Sequence, residues 1–130
     1  MTQENKELLL KDLCARLQYG VKVNNEIQGD FVIYGICENY IFARTTTSHA
    51  DFRIENIKPY LFPMSSMTEE QSKVYHELIN GMFGTSALIN FEVLTDFFNA
   101  NHLDYRGLIE KGLAIDATNL NIYYLGRVNK

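Results

Sequence analysis

The side chains able to do chemistry are few and scattered. Three histidines (His49, His76, His102), two cysteines (Cys14, Cys37) and sixteen carboxylates are the ligating and proton-transferring groups of the 130 residues. A structural metal site needs Cys or His in closely spaced sets. Here there is no CxxC, and His76-Glu77 lacks the second histidine of an HExxH helix. No G-x-S-x-G elbow, Walker loop or G-x-G-x-x-G turn is present. Glu92 and Asp96 stand four apart, a spacing at which repulsion raises a carboxyl pKa, but they read as a solvated helix face. The cysteines lie 23 residues apart and read as two small buried hydrophobes, Cys14 on a helix and Cys37 at a strand end. No catalytic constellation, metal or cofactor is expected from these residues, and the chain leans away from an enzyme.

Two groups are better suited to binding. Tyr60, Leu61, Phe62 and Met64 lie in Lys58-Pro59-Tyr60-Leu61-Phe62-Pro63-Met64, between the only two prolines of the chain. If exposed, they form an apolar ledge for a partner, including a second copy of the chain. If buried, they are a connector that packs across a sheet. Tyr105 and Arg106 are of the types that dominate binding hot spots. Their structural reading is that Asp104 caps a short helix, Tyr105 packs, and Arg106 pairs with Glu110 at i,i+4.

The elements that position these residues follow from periodicity. Leu9, Leu10, Leu13, Cys14 and Leu17 recur at three and four residues, predicting a helix over about 4–17 that stops at Gly20, with Asp12 and Arg16 off its apolar face. The period then falls to two. Val21 and Val23, then 31–37, then 40–44 beyond a Glu38-Asn39 turn, then 51–57 read as four or five short antiparallel strands. Such strands form a small open sheet or an SH3-like barrel. The prolines predict a break at 58–64. Thr68 and Gln71 form a capping box for a helix whose apolar face is Val74, Tyr75, Leu78, Ile79 and Met82, ended by Gly81 and Gly84. Asn90 caps a third helix to about Asn99, with Val93, Leu94, Phe97 and Phe98 inward and Ile89 with Leu94 as a staple. Asp104 opens a fourth, ended by Lys111 and Gly112. Residues 113–116 and 120–124 alternate as a terminal hairpin, and 126–130 read as a frayed tail. The expected class is α+β in one domain, a β-rich half (1–63) and a mainly helical half (64–130).

Charge restricts the partners. The net charge is −4: −1 over residues 1–67 and −3 over 68–130. A surface that tracks phosphates needs a basic patch. Nucleic acid is therefore disfavoured as a partner, unless the fold gathers Lys11, Arg16, Lys22, Arg44, Arg53 and Lys58 on one face. The 90–99 and 104–111 segments superficially outline a helix-turn-helix, but the second offers only Arg106 and Lys111 to a groove. No apolar run is long enough to span a bilayer, and the first twenty residues, with Glu4, Glu7 and Asp12, carry no apolar leader. A cytoplasmic protein is expected.

Three strings carry a resemblance: Leu9–Leu17 with Tyr19–Val23, Ile57–Glu70, and Asp104–Ala114. In these the chain resembles uncharacterised small proteins of Bacteroides-type gut bacteria and their phages and prophages. The resemblance implies a bacterial or phage accessory protein and brings no activity or catalytic residue with it. The expected function is a non-enzymatic protein-binding module with an unidentified protein partner or a second copy. The alternatives are nucleic-acid association through the N-terminal basic residues and, less favoured, a small enzyme.

Overall fold

The computed structural model describes residues 1–81 and 87–123, with the side chains of 81–90 outside that description. Helix α1 spans Gln3–Arg16; the Thr2 hydroxyl accepts the Asn5 N–H at 3.1 Å and closes its first turn. A 3₁₀ turn, Leu17–Tyr19, ends at Gly20 in the left-handed region (φ 67°), where a residue lacking Cβ is unstrained.

Strands β1 (Lys22–Asn25), β2 (Gly29–Cys37), β3 (Tyr40–Arg44) and β4 (His49–Arg53) form an antiparallel meander. A 3₁₀ turn at Ile54–Asn56 leads into β5 (Lys58–Pro63), which returns to pair antiparallel with β1. After α2 (Glu69–Gly81) and α3 (Ala87–Ala100), two short strands, β6 (Leu103–Asp104) and β7 (Ile115–Asp116), both pair in parallel with β5. The strand path is β4-β3-β2-β1-β5-β6, with β7 also on β5, and β4 is its free end among the described residues. The class is α+β, opening with a helix as expected.

The largest correction concerns residues 58–63. The expected break is a central strand, and Tyr60, Leu61 and Phe62 are buried. The physical reason is that β5 is covered on both faces. Leu61 joins the core under the meander, whereas Tyr60 and Phe62 join the core under the helices. A strand buried on both faces loses the polar alternation that would reveal it. Its two prolines sit near its ends, where a missing donor is tolerated.

Two cores result. Leu9 and Leu13 of α1 close over Val23, Phe31, Ile33, Ile41 and Phe52, sealed below by Leu108, Leu113 and Ala114. Phe62, Leu94, Phe98 and Leu103 form the second, with Tyr75 and Leu78 of α2 against it. The capping box is formed: Thr68 N–H donates to Gln71 Oε1 at 3.0 Å, and Gln71 N–H to Thr68 Oγ1 at 3.2 Å. Val74 and Val93, expected to face the core, are exposed because the helices are covered on one side only. α3 begins at Ala87, so Asn90 lies inside the helix rather than at its cap. Met82, Gly84, the side chains of Ile89 and Asn90, and the 126–130 tail lie outside the described residues.

The fourth helix and the terminal hairpin are also corrected. Residues 105–107 are irregular and 108–112 are turns. Asp104 is buried and still caps, its two oxygens accepting the Leu108 and Ile109 N–H at 2.9 Å each. Residues 115–117 take their backbone partners from β5, the Ala117 N–H donating to the Leu61 carbonyl at 2.8 Å, so 121–123 form no strand.

Asp12 and Arg16, expected off the apolar face, are completely buried. Arg16 Nε donates to Asp12 Oδ2 at 2.9 Å and Nη2 to the Leu103 carbonyl at 2.6 Å. Arg106 Nε occupies the other Asp12 oxygen at 3.2 Å. This network ties α1 to the segment after β6.

Candidate functional site

The outer face of the meander carries the exposed aromatic and cationic side chains. Strand alternation explains the set. On β3, Ile41 and Ala43 point into the core, so Tyr40, Phe42 and Arg44 point out. The register places Arg53 opposite Tyr40, Asp51 opposite Phe42 and His49 opposite Arg44.

Tyr34 reaches this face by the same alternation, Phe31 and Ile33 pointing in, and stands beside an irregularity. The β2–β3 register runs from Ile33↔Ala43 directly to Gly35↔Phe42, leaving Tyr34 as one extra residue. The bulge sets Tyr34 and Gly35 together opposite Phe42, and Tyr34 stands 45% exposed. Gly35 makes room for it to lie beside Phe42: a Cβ there would sit 3.2 Å from the Phe42 ring. The Tyr34 ring centroid is 6.5 Å from that of Phe42 and 5.8 Å, edge-on, from that of His49. The Arg44 guanidinium lies 5.5 Å from the Tyr34 ring. Further along, Arg53 lies 5.9 Å from the Tyr40 ring and within 3.4 Å of Glu55. Arg44 makes no ion pair among the described residues. An unpaired guanidinium stacked on an exposed tyrosine offers a planar donor fork and an aromatic face together.

Beside β4 runs a groove of about 630 Å³. Asp51 and Arg53 line one wall, Asn25 and Ile27 of the β1–β2 turn and Lys58 the other. Asn25 fixes that turn, its Oδ1 accepting the Ile27 and Gln28 N–H at 3.1 and 2.9 Å. Ile27 is left 93% exposed at the lip.

The residues singled out from sequence fall elsewhere. Tyr60, Leu61 and Phe62 are buried and Met64 is half-buried, so the ledge is core rather than surface. Tyr105 packs on Phe98, centroids 5.1 Å apart. Arg106 pairs with Asp12 rather than Glu110 and donates to the Tyr105 hydroxyl at 2.9 Å. Both cysteines are exposed and unbridged rather than buried. Among the described residues no three His, Cys, Asp or Glu side chains gather as a metal site. The six basic residues do not all reach a surface, because Arg16 is buried, although Lys22 and Arg44 line one shallow pocket. Two phenols are held neutral. Burial, then the hydrogen bond to Asp30, pushes the Tyr60 phenol up to about 12. Burial pushes the Tyr123 phenol still further above its ordinary range.

The sequence reading missed Tyr34 and Phe42, and named Arg44 only among six basic residues and His49 only as an isolated histidine. Alternation in 40–44 was a signal for Phe42 and Arg44, and Gly35 inside a strand was a signal for the bulge. Comparison with known proteins returned no match: no family model fits the chain, and no curated protein or solved structure is significantly similar to it.

Proposed function

We propose that this protein is a non-enzymatic protein-binding module that engages its partner through the outer face of the β2–β4 meander. The carrying observation is exposed Tyr34 and His49 around half-buried Phe42, with Arg44 over the Tyr34 ring and free of any carboxylate among the described residues. Tyrosine and arginine carry most binding energy at interfaces, being large and rigid with polar ends. Gly35, which leaves Tyr34 room beside Phe42 on this face, supports the same reading. The strand order β4-β3-β2-β1-β5, with a 3₁₀ turn before β5, supports an SH3-like scaffold for it. The three resembling segments support a cytoplasmic bacterial or phage accessory role. No described helix is long and apolar enough to cross a membrane.

Selection of a displayed random-peptide library against the full chain tests the reading. Clones should be enriched that bind the unmodified protein and lose at least about tenfold on Tyr34→Ala or Arg44→Ala, the scale of a hot-spot truncation. Clones indifferent to both changes, or no clones, overturn it. The nucleic-acid alternative predicts instead that an oligonucleotide binds with a steep salt dependence.

A further inference from the structure

We infer that the free edge of β4 takes an extended peptide of the partner as an added strand, with a charge pattern set by His49, Asp51 and Arg53. The inference rests on the binding-module reading and adds its mode and the chemistry of the ligand.

The hydrogen-bond parity defines the edge. The Thr45 N–H donates to the Ser48 carbonyl and the Ile54 N–H to the Asn39 carbonyl. Both pairs share the β3–β4 register, so Ala50 and Phe52, two and four residues beyond Ser48, turn their backbone groups toward β3. The N–H and C=O groups of His49, Asp51 and Arg53 therefore point away from β3. No other strand pairs with β4 among the described residues. The groove lined by Asp51, Phe52 and Arg53 opens beside the C-terminal half of this edge and gives an incoming strand its space there. An extended chain satisfies such groups directly, which is the basis of recognition by strand addition.

Charge selects the occupant. The side chains of His49, Asp51 and Arg53 all lie on the outer face, and each would meet the residue directly opposite on the added strand. An antiparallel strand therefore places an acidic residue against Arg53, a basic one against Asp51 and, against His49, a carboxylate that can accept a hydrogen bond from the imidazole N–H. Its alternate residues turn inward beside Phe52 and Ala50 and are apolar. A second copy of β4 fits poorly. In full register Asp51 falls on Asp51, and a shift that puts Asp51 against Arg53 leaves only two outward pairs.

The test uses two peptides, Thr-Glu-Val-Lys-Val-Glu-Thr and its charge inverse Thr-Lys-Val-Glu-Val-Lys-Thr, titrated into the full chain with amide exchange read residue by residue. The first should slow exchange at His49, Asp51 and Arg53 and bind about tenfold more tightly than the inverse. Asp51→Lys should move the preference toward a peptide acidic at its centre. Asp51→Pro should abolish binding, because it deletes an outward N–H while leaving every bond to β3 in place. Equal binding of the two peptides, or unchanged exchange at the three amides, overturns the inference. A dimer that already protects these amides overturns it too, and makes the occupant a second copy. Library peptides that depend on Tyr34 but leave the β4 amides untouched overturn this inference alone. If no peptide of either origin binds, the binding-module reading falls with it.

Discussion

Arg16 shows how much of the fold one residue holds. It donates Nε to Asp12 and Nη2 to the Leu103 carbonyl, 87 residues away, and lies 5.5 Å from the Tyr105 ring. Removing Arg16 takes from buried Asp12 its closest partner, leaving only Arg106 at 3.2 Å, and leaves the buried Leu103 carbonyl without its donor. Arg16→Ala should therefore cost about 3–5 kcal/mol, whereas Arg106→Ala, at the half-exposed end of the network, should cost about 1–2 kcal/mol. Urea denaturation of both variants checks this, and an Arg16→Ala loss no larger than that of Arg106→Ala would contradict the network. Tyr60 offers a pH test. Its phenol titrates near 10 when unfolded and is pushed up to about 12 when folded, by burial and by its 2.6 Å bond to Asp30. The folded pKa is the higher, so this contribution is fully present below pH 10 and is lost as pH rises through about 12. Tyr60→Phe should lose about 1–2 kcal/mol at neutral pH and flatten that alkaline decline, as followed by stability against pH. An unchanged decline would place its cause elsewhere.

At the scale of elements, local signals and tertiary competition divide the outcome. The capping box before α2 was readable because both of its bonds close within four residues. The Asp104 cap was readable too, but the helix it was expected to open does not form. The carboxylate holds Leu108 and Ile109 N–H, and the following turns carry Leu108 and Leu113 into the meander core. Asp104→Ala leaves two backbone donors without their acceptor and should cost about 2–3 kcal/mol, with faster amide exchange at Leu108 and Ile109 as the local signature. A global loss without that local change would mean that Asp104 acts by packing. β5 was unreadable as a strand because its two partners in parallel pairing lie 40 and more residues downstream.

For the whole molecule, the two halves are joined by more than chain continuity. The meander core is sealed by Leu108, Leu113 and Ala114, and the charge of Asp12 is shared with Arg106. Tyr60 and Phe62, conversely, leave the β-rich half to fill the helical core. Residues 1–63 expressed alone should therefore lack a cooperative unfolding transition and show collapsed amide dispersion. A folded, cooperative fragment would make the halves separate units and remove the reason for burying β5 on both faces.

The sequence by itself determined the α+β class, the opening helix, the β2–β3 hairpin at Glu38-Asn39 and the α2 cap. Each of these is written in contacts a few residues apart, where period and turn chemistry act directly. The tertiary structure alone decided the rest. It made Lys58–Pro63 a central strand, sank Asp12 and Arg16 into the core, and drew residues 115–117 to β5 instead of a hairpin. It also buried Tyr60, Leu61 and Phe62 and left Tyr34, Arg44 and His49 exposed. Burial depends on what arrives from elsewhere in the chain. Apolar residues with two covering layers become core, and those with one become the surface a partner can reach.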